Sequence, residues 1–392
     1  MGRPTLILAA LAADAVPGKN FRGIKRLDES ENLDSLLLRD ADGYGYEFKI
    51  PANPQGESEL AVERTVIRAL AGQGDRVPFE ISEELGSTRD ADGLTGVVFR
   101  AVEGSEPDLA KLQPGAFSKT LADTLAAIHS LDASVVKSAG LPEYDSTAQL
   151  HQRVAELDRI AGLGRVPSAL LGRWESALED VGLFRYHPTV VHGGISKENL
   201  KLDGQRVTGV TGFQNLRISD PAEDLSWIVG AGLGSTVEDT LLHYRAARPQ
   251  ADENLIQRAT LYSELELGTW LAHCVELGDE AYITQAEELI KELNDQLTAS
   301  GLRDLRAASF IGLVAGSAML PEITNSLPMI AQEDESSVQA DEQELPEPTT
   351  DDFAATDTAS SDDLAEQEVS FDEFFAEPDQ ESKNEPNPDE LF

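Results

Sequence analysis

The chain has 392 residues, enough for two lobes or domains and a tail, and 41% of them are hydrophobic. Its formal net charge is −40, about half of it in the last sixty or so residues, which argues against nucleic acid or an anionic membrane as a direct partner, since both need clustered Lys and Arg. The single cysteine, Cys274, rules out an internal disulfide framework and suits a reducing cytoplasm.

In chain order, the first apolar run is Leu6 to Ala13. It follows one arginine and meets Asp14 at once, too short and too weakly basic at its start for a signal peptide. The pattern predicts an amphipathic helix within residues 1–19, with Pro4 near its start. Residues 20–100 read as strands and turns, with runs at Leu33 to Arg39, Gly45 to Ile50 and Thr95 to Arg100. Turn clusters separate them at Asp40-Ala-Asp-Gly43 and Arg89-Asp-Ala-Asp-Gly93. One helix is predicted here, Glu57 to Gly72, with Leu60, Ile67 and Leu70 on one face. Glu63 falls on that same face, and a carboxylate turned inward needs a cation. Lys49, on the preceding strand, is the candidate.

Residues 101–107 read as a hinge, and from 108 to 330 the pattern is helical. Phe117, Leu121, Leu125 and Ile128 form one stripe; Leu150, Val154 and Leu157 form another. Longer helical patterns follow at Pro167 to Leu183, Thr236 to Ala247, Asn254 to Leu277 and Ala281 to Ala299. Trp174, Trp227, Trp270 and Cys274 read as core residues of these helices, and His129 as a packed or surface histidine with no ligand role. Ala307 to Leu320 is apolar but broken by Gly312, Gly316 and Ser317, and too short to span a bilayer. From about 331 to 392 the chain is acidic and poor in branched apolar residues, so it cannot bury enough surface to offset ordering, and disorder is expected.

The most informative stretch is Val190-Val-His-Gly-Gly-Ile-Ser-Lys-Glu-Asn-Leu200 with Thr208-Gly-Val-Thr-Gly-Phe213 and Asp220-Pro-Ala-Glu-Asp-Leu225. It resembles the aminoglycoside and macrolide phosphotransferase family, distant relatives of protein kinases, over roughly residues 20–300. The family's loop reads His-Gly-Asp, four residues, then Asn. His192, Gly193 and Asn199 stand in register, with Gly194 in place of the catalytic aspartate. A turn and a strand (Arg206 to Val210) lead to the family's Ile-Asp-Trp or Ile-Asp-Phe, where Gly212 occupies the position of the metal-binding aspartate. The family's Gly-Asp-Pro-Ala-x-Asp-Leu matches Ser219 to Leu225.

This resemblance implies an α+β, two-lobed kinase-like fold with a strand-rich small lobe and a helical large lobe. It implies Lys49 and Glu63 as the pair that holds nucleotide phosphates, Asp224 as support for the catalytic loop, and ATP as cofactor. Magnesium is in doubt, because it needs anionic oxygen and Asn199 is the one obvious ligand left. Phosphoryl transfer depends on positioning and charge neutralisation, and glycine supplies neither base nor ligand. Glu198, Asp203, Asp220 and Glu223 stand nearby as substitutes, although Asp-Pro-Ala-Glu also reads as a helix start, with Asp220 as N-cap and Glu223 closing a capping box. The segment 27–39 contains no glycine, which disfavours a close phosphate-cradling loop.

Several readings stay open. The chain is a phosphotransferase-like protein with impaired catalysis that binds a small-molecule ligand or a protein, an active ATP-dependent kinase of a small hydroxylated molecule, or a scaffold that binds no nucleotide. In the tail, Phe371, Phe374 and Phe375 among acids can fold onto a partner's apolar groove. The acidic end at Phe392 resembles the partner-binding tip of bacterial single-stranded-DNA-binding proteins. The alternative is a tail that only solubilises.

Overall fold

The computed structural model of the chain describes residues 3–27, 32–71, 77–301 and 305. The apolar run at 307–320 and the acidic tail lie outside the described residues.

The small lobe is built on a five-stranded antiparallel sheet in the order β1-β2-β3-β5-β4. The strands are β1 (Phe21–Leu27), β2 (Leu33–Asp40), β3 (Gly45–Pro51), β4 (Glu83–Arg89) and β5 (Thr95–Arg100). The Asp-Ala-Asp-Gly sequence makes the same turn twice, for one local reason. The first aspartate accepts two backbone amides, Asp40 from Asp42 and Tyr44 and Asp90 from Asp92 and Leu94, at 2.9–3.0 Å. Gly43 and Gly93 supply the positive φ that closes each turn, 89° and 83°. The edge strands β1 and β4 escape the sequence pattern because each is half solvated and rich in polar side chains.

Period-two alternation gives the sheet two apolar faces. Leu36, Leu38, Tyr46, Phe48, Ile50 and Val98 pack with Leu8, Ala12 and Ala15 of helix α1 (Thr5–Ala15). Val97 and Phe99 face helix α2 (Pro54–Ala71) through Leu60 and Ile67. Lys49 pairs with Val97 and Ser35 in the ladder and so belongs to the α2 face. Helix α1 departs from the amphipathic expectation. Its inner side is buried, yet Leu6 is 76% and Ile7 53% exposed, so apolar residues ring the helix. Burial of Leu8 and Ala12 and an anchor at its start hold it: Arg3 bonds Asp34 at 3.0 Å and Asp90 at 2.7 Å.

The large lobe contains α3 (Ala116–Ile128), α4 (Ser134–Ser138), α5 (Ser146–Gly162), α6 (Ser168–Leu178), α7 (Glu223–Gly230), α8 (Gly234–Ala247), α9 (Leu255–Leu277) and α10 (Glu280–Ser300). Between α6 and α7 run two short antiparallel pairs: β6 (Thr189–Val191) with β9 (Arg217–Ser219), and β7 (Leu200–Asp203) with β8 (Arg206–Val210). Helix ends follow local chemistry. Asp145 and Asp279 cap α5 and α10, and left-handed Gly278 and Gly301 end α9 and α10. The predicted stripe on α5 is rotated: Leu157 and Ile160 are buried, Leu150 is half-buried and Val154 is exposed. The α6 pattern stops at Leu178 rather than Leu183. Trp174, Trp270 and Cys274 are buried, and Trp227 is half-buried.

A buried ion pair of this lobe joins Arg173 to Glu264 at 2.8 Å, and the Glu264 carboxylate also accepts from the Trp174 indole at 2.9 Å. Removing one partner leaves an uncompensated buried charge. Arg173→Ala is therefore expected to destabilise the protein by about 3–5 kcal/mol, read from a lower urea midpoint at unchanged slope; a midpoint within error of the parent would refute this.

Candidate active site

The site forms where the lobes meet. Backbone hydrogen bonds join the segment after β5 to the β7–β8 hairpin, Ser105 N to Leu202 O at 3.0 Å and Leu202 N to Ser105 O at 2.7 Å. Gly104, at φ 131°, lies so close to Leu202 that a side chain would strike its backbone. The β6–β9 pairing sets residues 192–199 beside residues 211–217. Thr211 N donates to Asn199 O at 2.8 Å and closes the loop.

Asp224 holds that loop from behind. Its carboxylate accepts from His192 N at 2.7 Å and Gly193 N at 2.8 Å, and from His129 Nε2 at 3.1 Å. His129 Nδ1 bonds the Tyr244 hydroxyl at 2.7 Å, which accepts from Arg248 at 2.9 Å. Burial alone would raise the Asp224 carboxyl, but the His129 contact and the Gly193 amide outweigh it and hold it below the usual range. His129 is thus packed, as read from the sequence, and it also carries a supporting bond that the helical stripe could not disclose. The His192 imidazole is fully buried; its Nε2 donates to Thr211 O at 2.8 Å and its ring lies 4.7 Å from Phe213. Burial holds it below the ordinary histidine value, against the opposing pull of Asp224 and the Thr211 carbonyl.

The two positions marked by the motif spacing, 194 and 212, present bare backbone. Gly194 is half-buried and is not among the glycines with positive φ, so its backbone accepts a side chain without left-handed strain. Gly212 is left-handed, φ 77° and ψ 34°. A Cβ there would lie 2.1 Å from Asn199 Nδ2, so the asparagine amide fills the room a side chain would take. The Asn199 oxygen in turn accepts from Ser196 Oγ at 2.7 Å.

The neighbouring carboxylates have other work. Asp220 is fully buried, accepts from Arg258 at 2.6 and 3.0 Å and from Tyr262 at 2.7 Å, and reaches the Ala222 amide at 2.9 Å. Glu223 accepts from Arg217 at 2.6 Å, from Ser219 at 2.7 Å and from Gln149. The predicted capping box is made only in part: Asp220 accepts the Ala222 amide, but Glu223 returns no bond because Ser219, Gln149 and the half-buried Arg217 claim its carboxylate. Glu198 and Asp203 are exposed.

In the small lobe Lys49 and Glu63 do meet, Nζ to Oε1 at 2.9 Å. Glu47 joins them at 3.1 Å. Its place two residues before Lys49 on β3 puts it on the same face. Burial works against the lysine's charge, but Glu47 and Glu63 together hold it protonated well above its usual range. The segment 28–31 lies outside the described residues.

The family model described as "Phosphotransferase enzyme family" matches residues 23–264. The chain belongs to this family. Its fold is similar to a macrolide 2'-phosphotransferase type I, TM-score 0.60 at 22% identity over 73% of this chain and 96% of the other. A macrolide 2'-phosphotransferase from Brachybacterium faecium gives 0.60 at 19% identity, over 72% and 97%. The GDP complex of a single-residue mutant of aminoglycoside 2'-phosphotransferase-IIIa gives 0.63 at 20%, over 76% and 99%. No curated protein sequence matches. These neighbours share the two-lobed, kinase-like architecture.

The fold implies magnesium beside Asn199 and residue 212, and the residues of this phosphotransferase-family chain do not fit it. Magnesium dehydrates reluctantly and is held through carboxylates; here there is one glycine and an amide whose oxygen already accepts from a serine. Among the described residues no group of three or more His, Cys, Asp and Glu side chains is arranged to hold a metal, and no helix is long and apolar enough to cross a membrane.

The loop's ionisation has a measurable signature. A histidine held below its unfolded value (about 6.5) stabilises fully above that pH, and the contribution is lost as pH falls toward the folded value. Thermal stability is expected to drop between about pH 7 and pH 5, with a shallower drop in His192→Gln. The Asp224 contribution, present above about pH 4, is lost on further acidification. A parallel pH profile for His192→Gln would exclude the histidine as a source.

Proposed function

We propose that this chain is a catalytically impaired member of its family that acts by binding, with a small molecule or nucleotide as ligand. The observation that carries the reading is a division of labour. The groups that shape the loop, Asp224 with His129 and Tyr244, are all present and bonded, while the positions that would act on substrate are Gly194 and Gly212. A positioned base contributes about 10²–10⁴-fold in rate, and charge neutralisation by metal is the other main source of phosphoryl-transfer catalysis. Both are undermined together.

The ligand class follows from the relatives. Solved neighbours are named as complexes with GDP and kanamycin and as a streptomycin–ATP ternary complex, so a purine nucleotide and a hydroxylated, polar small molecule are the ligands we assign. Lys49 with Glu63 and Glu47 would face the phosphates. The acidic tail, with Phe371, Phe374, Phe375 and Phe392, is the segment we assign to a protein partner, in the cytoplasm. The second reading, an active phosphotransferase, is favoured by one observation: the Lys49–Glu63 pair is assembled.

The two readings separate on ATP turnover with magnesium over aminoglycosides, macrolides and simple sugars. No turnover above the uncatalysed rate is expected. Introducing Gly194→Asp with Gly212→Asp is expected to create metal-dependent nucleotide binding, with Asn199 displaced by the new side chain at 212. Turnover in the parent protein that disappears with Asn199→Ala would establish the active reading instead.

A further inference from the structure

An ion pair of one lysine and one glutamate is neutral, but the group around Lys49 is not. Its ammonium lies 2.9 Å from Glu63 Oε1 and 3.1 Å from Glu47 Oε1. Two carboxylates against one ammonium leave a negative charge in excess. The fold imposes this arrangement. Glu47 and Lys49 share the α2 face of β3, their backbones about 7 Å apart along the strand, and Glu63 reaches the same ammonium from α2. Phe99, which pairs with Glu47 across the ladder, closes another side with its ring 5.9 Å from the Lys49 nitrogen. An ammonium has three donors, and the two carboxylates engage it from both elements. The cluster is nevertheless reached by solvent: the Lys49 and Glu47 side chains are 16% and 17% exposed. Glu63 is buried and Glu47 half-buried, so the carboxylate nearer solvent is Glu47.

We propose that Glu47 is a specificity-determining residue of this site: it occupies the Lys49 ammonium as an internal anion, and a polyphosphate engages Lys49 only by displacing the Glu47 carboxylate. A phosphate that approaches with Glu47 in place meets a cluster of its own sign, and like charges at a partly solvated contact repel. Glu47 is built to be displaced, because a half-buried glutamate on a strand gives up one contact when it swings away, whereas Glu63 would have to leave the apolar face of α2. The same charge has no effect on a ligand without phosphates, so the barrier acts on nucleotides and spares nucleosides. The inference rests on the nucleotide assignment of the proposed function and refines it.

The test is calorimetric titration of the full chain with adenosine, ADP and inorganic tripolyphosphate. Glu47→Gln, which keeps the shape and removes the charge, is expected to raise affinity for ADP and tripolyphosphate by roughly tenfold or more. Affinity for adenosine is expected to stay as in the parent, a split that a merely structural role of Glu47 would not produce. Adding Lys49→Met to Glu47→Gln is expected to cancel the gain, because the lysine is the group set free. Thermal unfolding checks that each variant is folded, with Glu47→Ala as a second variant that removes the charge. Equal phosphate affinity in the parent and Glu47→Gln, an equal gain for adenosine, or a gain that survives Lys49→Met overturns this inference alone. Absence of phosphate binding by every variant overturns it together with the nucleotide assignment. Turnover of ATP by the parent protein overturns the proposed loss of catalysis, and an affinity gain in Glu47→Gln would still support the role of Glu47.

Discussion

Two backbone amides and one histidine converge on a single carboxylate, and the geometry of the whole site follows from that convergence. Asp224 sits in the first turn of α7, its side chain fully buried, and accepts from His192 N, Gly193 N and His129 Nε2. An ionised carboxylate in that position is tolerated only because donors surround it. In return it fixes the course of residues 192 and 193, which sets where Gly194 and Asn199 stand. The support reaches outward through His129 to Tyr244 and Arg248 on and after α8. A loop held this firmly keeps its path whatever side chain it displays at position 194.

That separation explains how the loop keeps its frame while glycine stands at 194 and 212. Residues that shape the loop are buried and mutually bonded, so losing one exposes a charge or an amide in an apolar setting. A residue that merely reaches toward substrate is bound by no such penalty. Gly194 and Gly212 carry no side chain that takes part in that bonding. The room beside Gly212 is occupied by the Asn199 amide, whose oxygen accepts from Ser196.

The sequence reading succeeded where information is local. The paired Asp-Ala-Asp-Gly turns, the α2 face carrying Leu60, Glu63 and Ile67, and the long helices α8, α9 and α10 are all encoded within one or two turns of chain. It faltered where side chains had competing partners. Asp220 and Glu223 have the spacing of a capping box, yet Arg217 draws the Glu223 carboxylate away, and Asp220 shares its carboxylate between the Ala222 amide and Arg258, 38 residues along. Val154 fits an apolar period but faces solvent, and Leu6 and Ile7 ring α1 with apolar surface that no amphipathic pattern would place outward. Glu47, two residues before Lys49 on β3, shares its face by strand alternation, so Lys49 has two carboxylate partners.

By itself, the order of residues determined the family, the two-lobed fold, and the absence of carboxylates at 194 and 212, because these depend on motif spacing and on which atoms a residue possesses. Tertiary structure alone decided the partners: that His129 supports Asp224, that Arg258 holds Asp220, and that Asn199 turns nitrogen rather than oxygen toward Gly212. The physical reason is that periodicity reports which face of an element is apolar. The choice among several polar partners is settled by burial and by contacts between residues far apart in the chain.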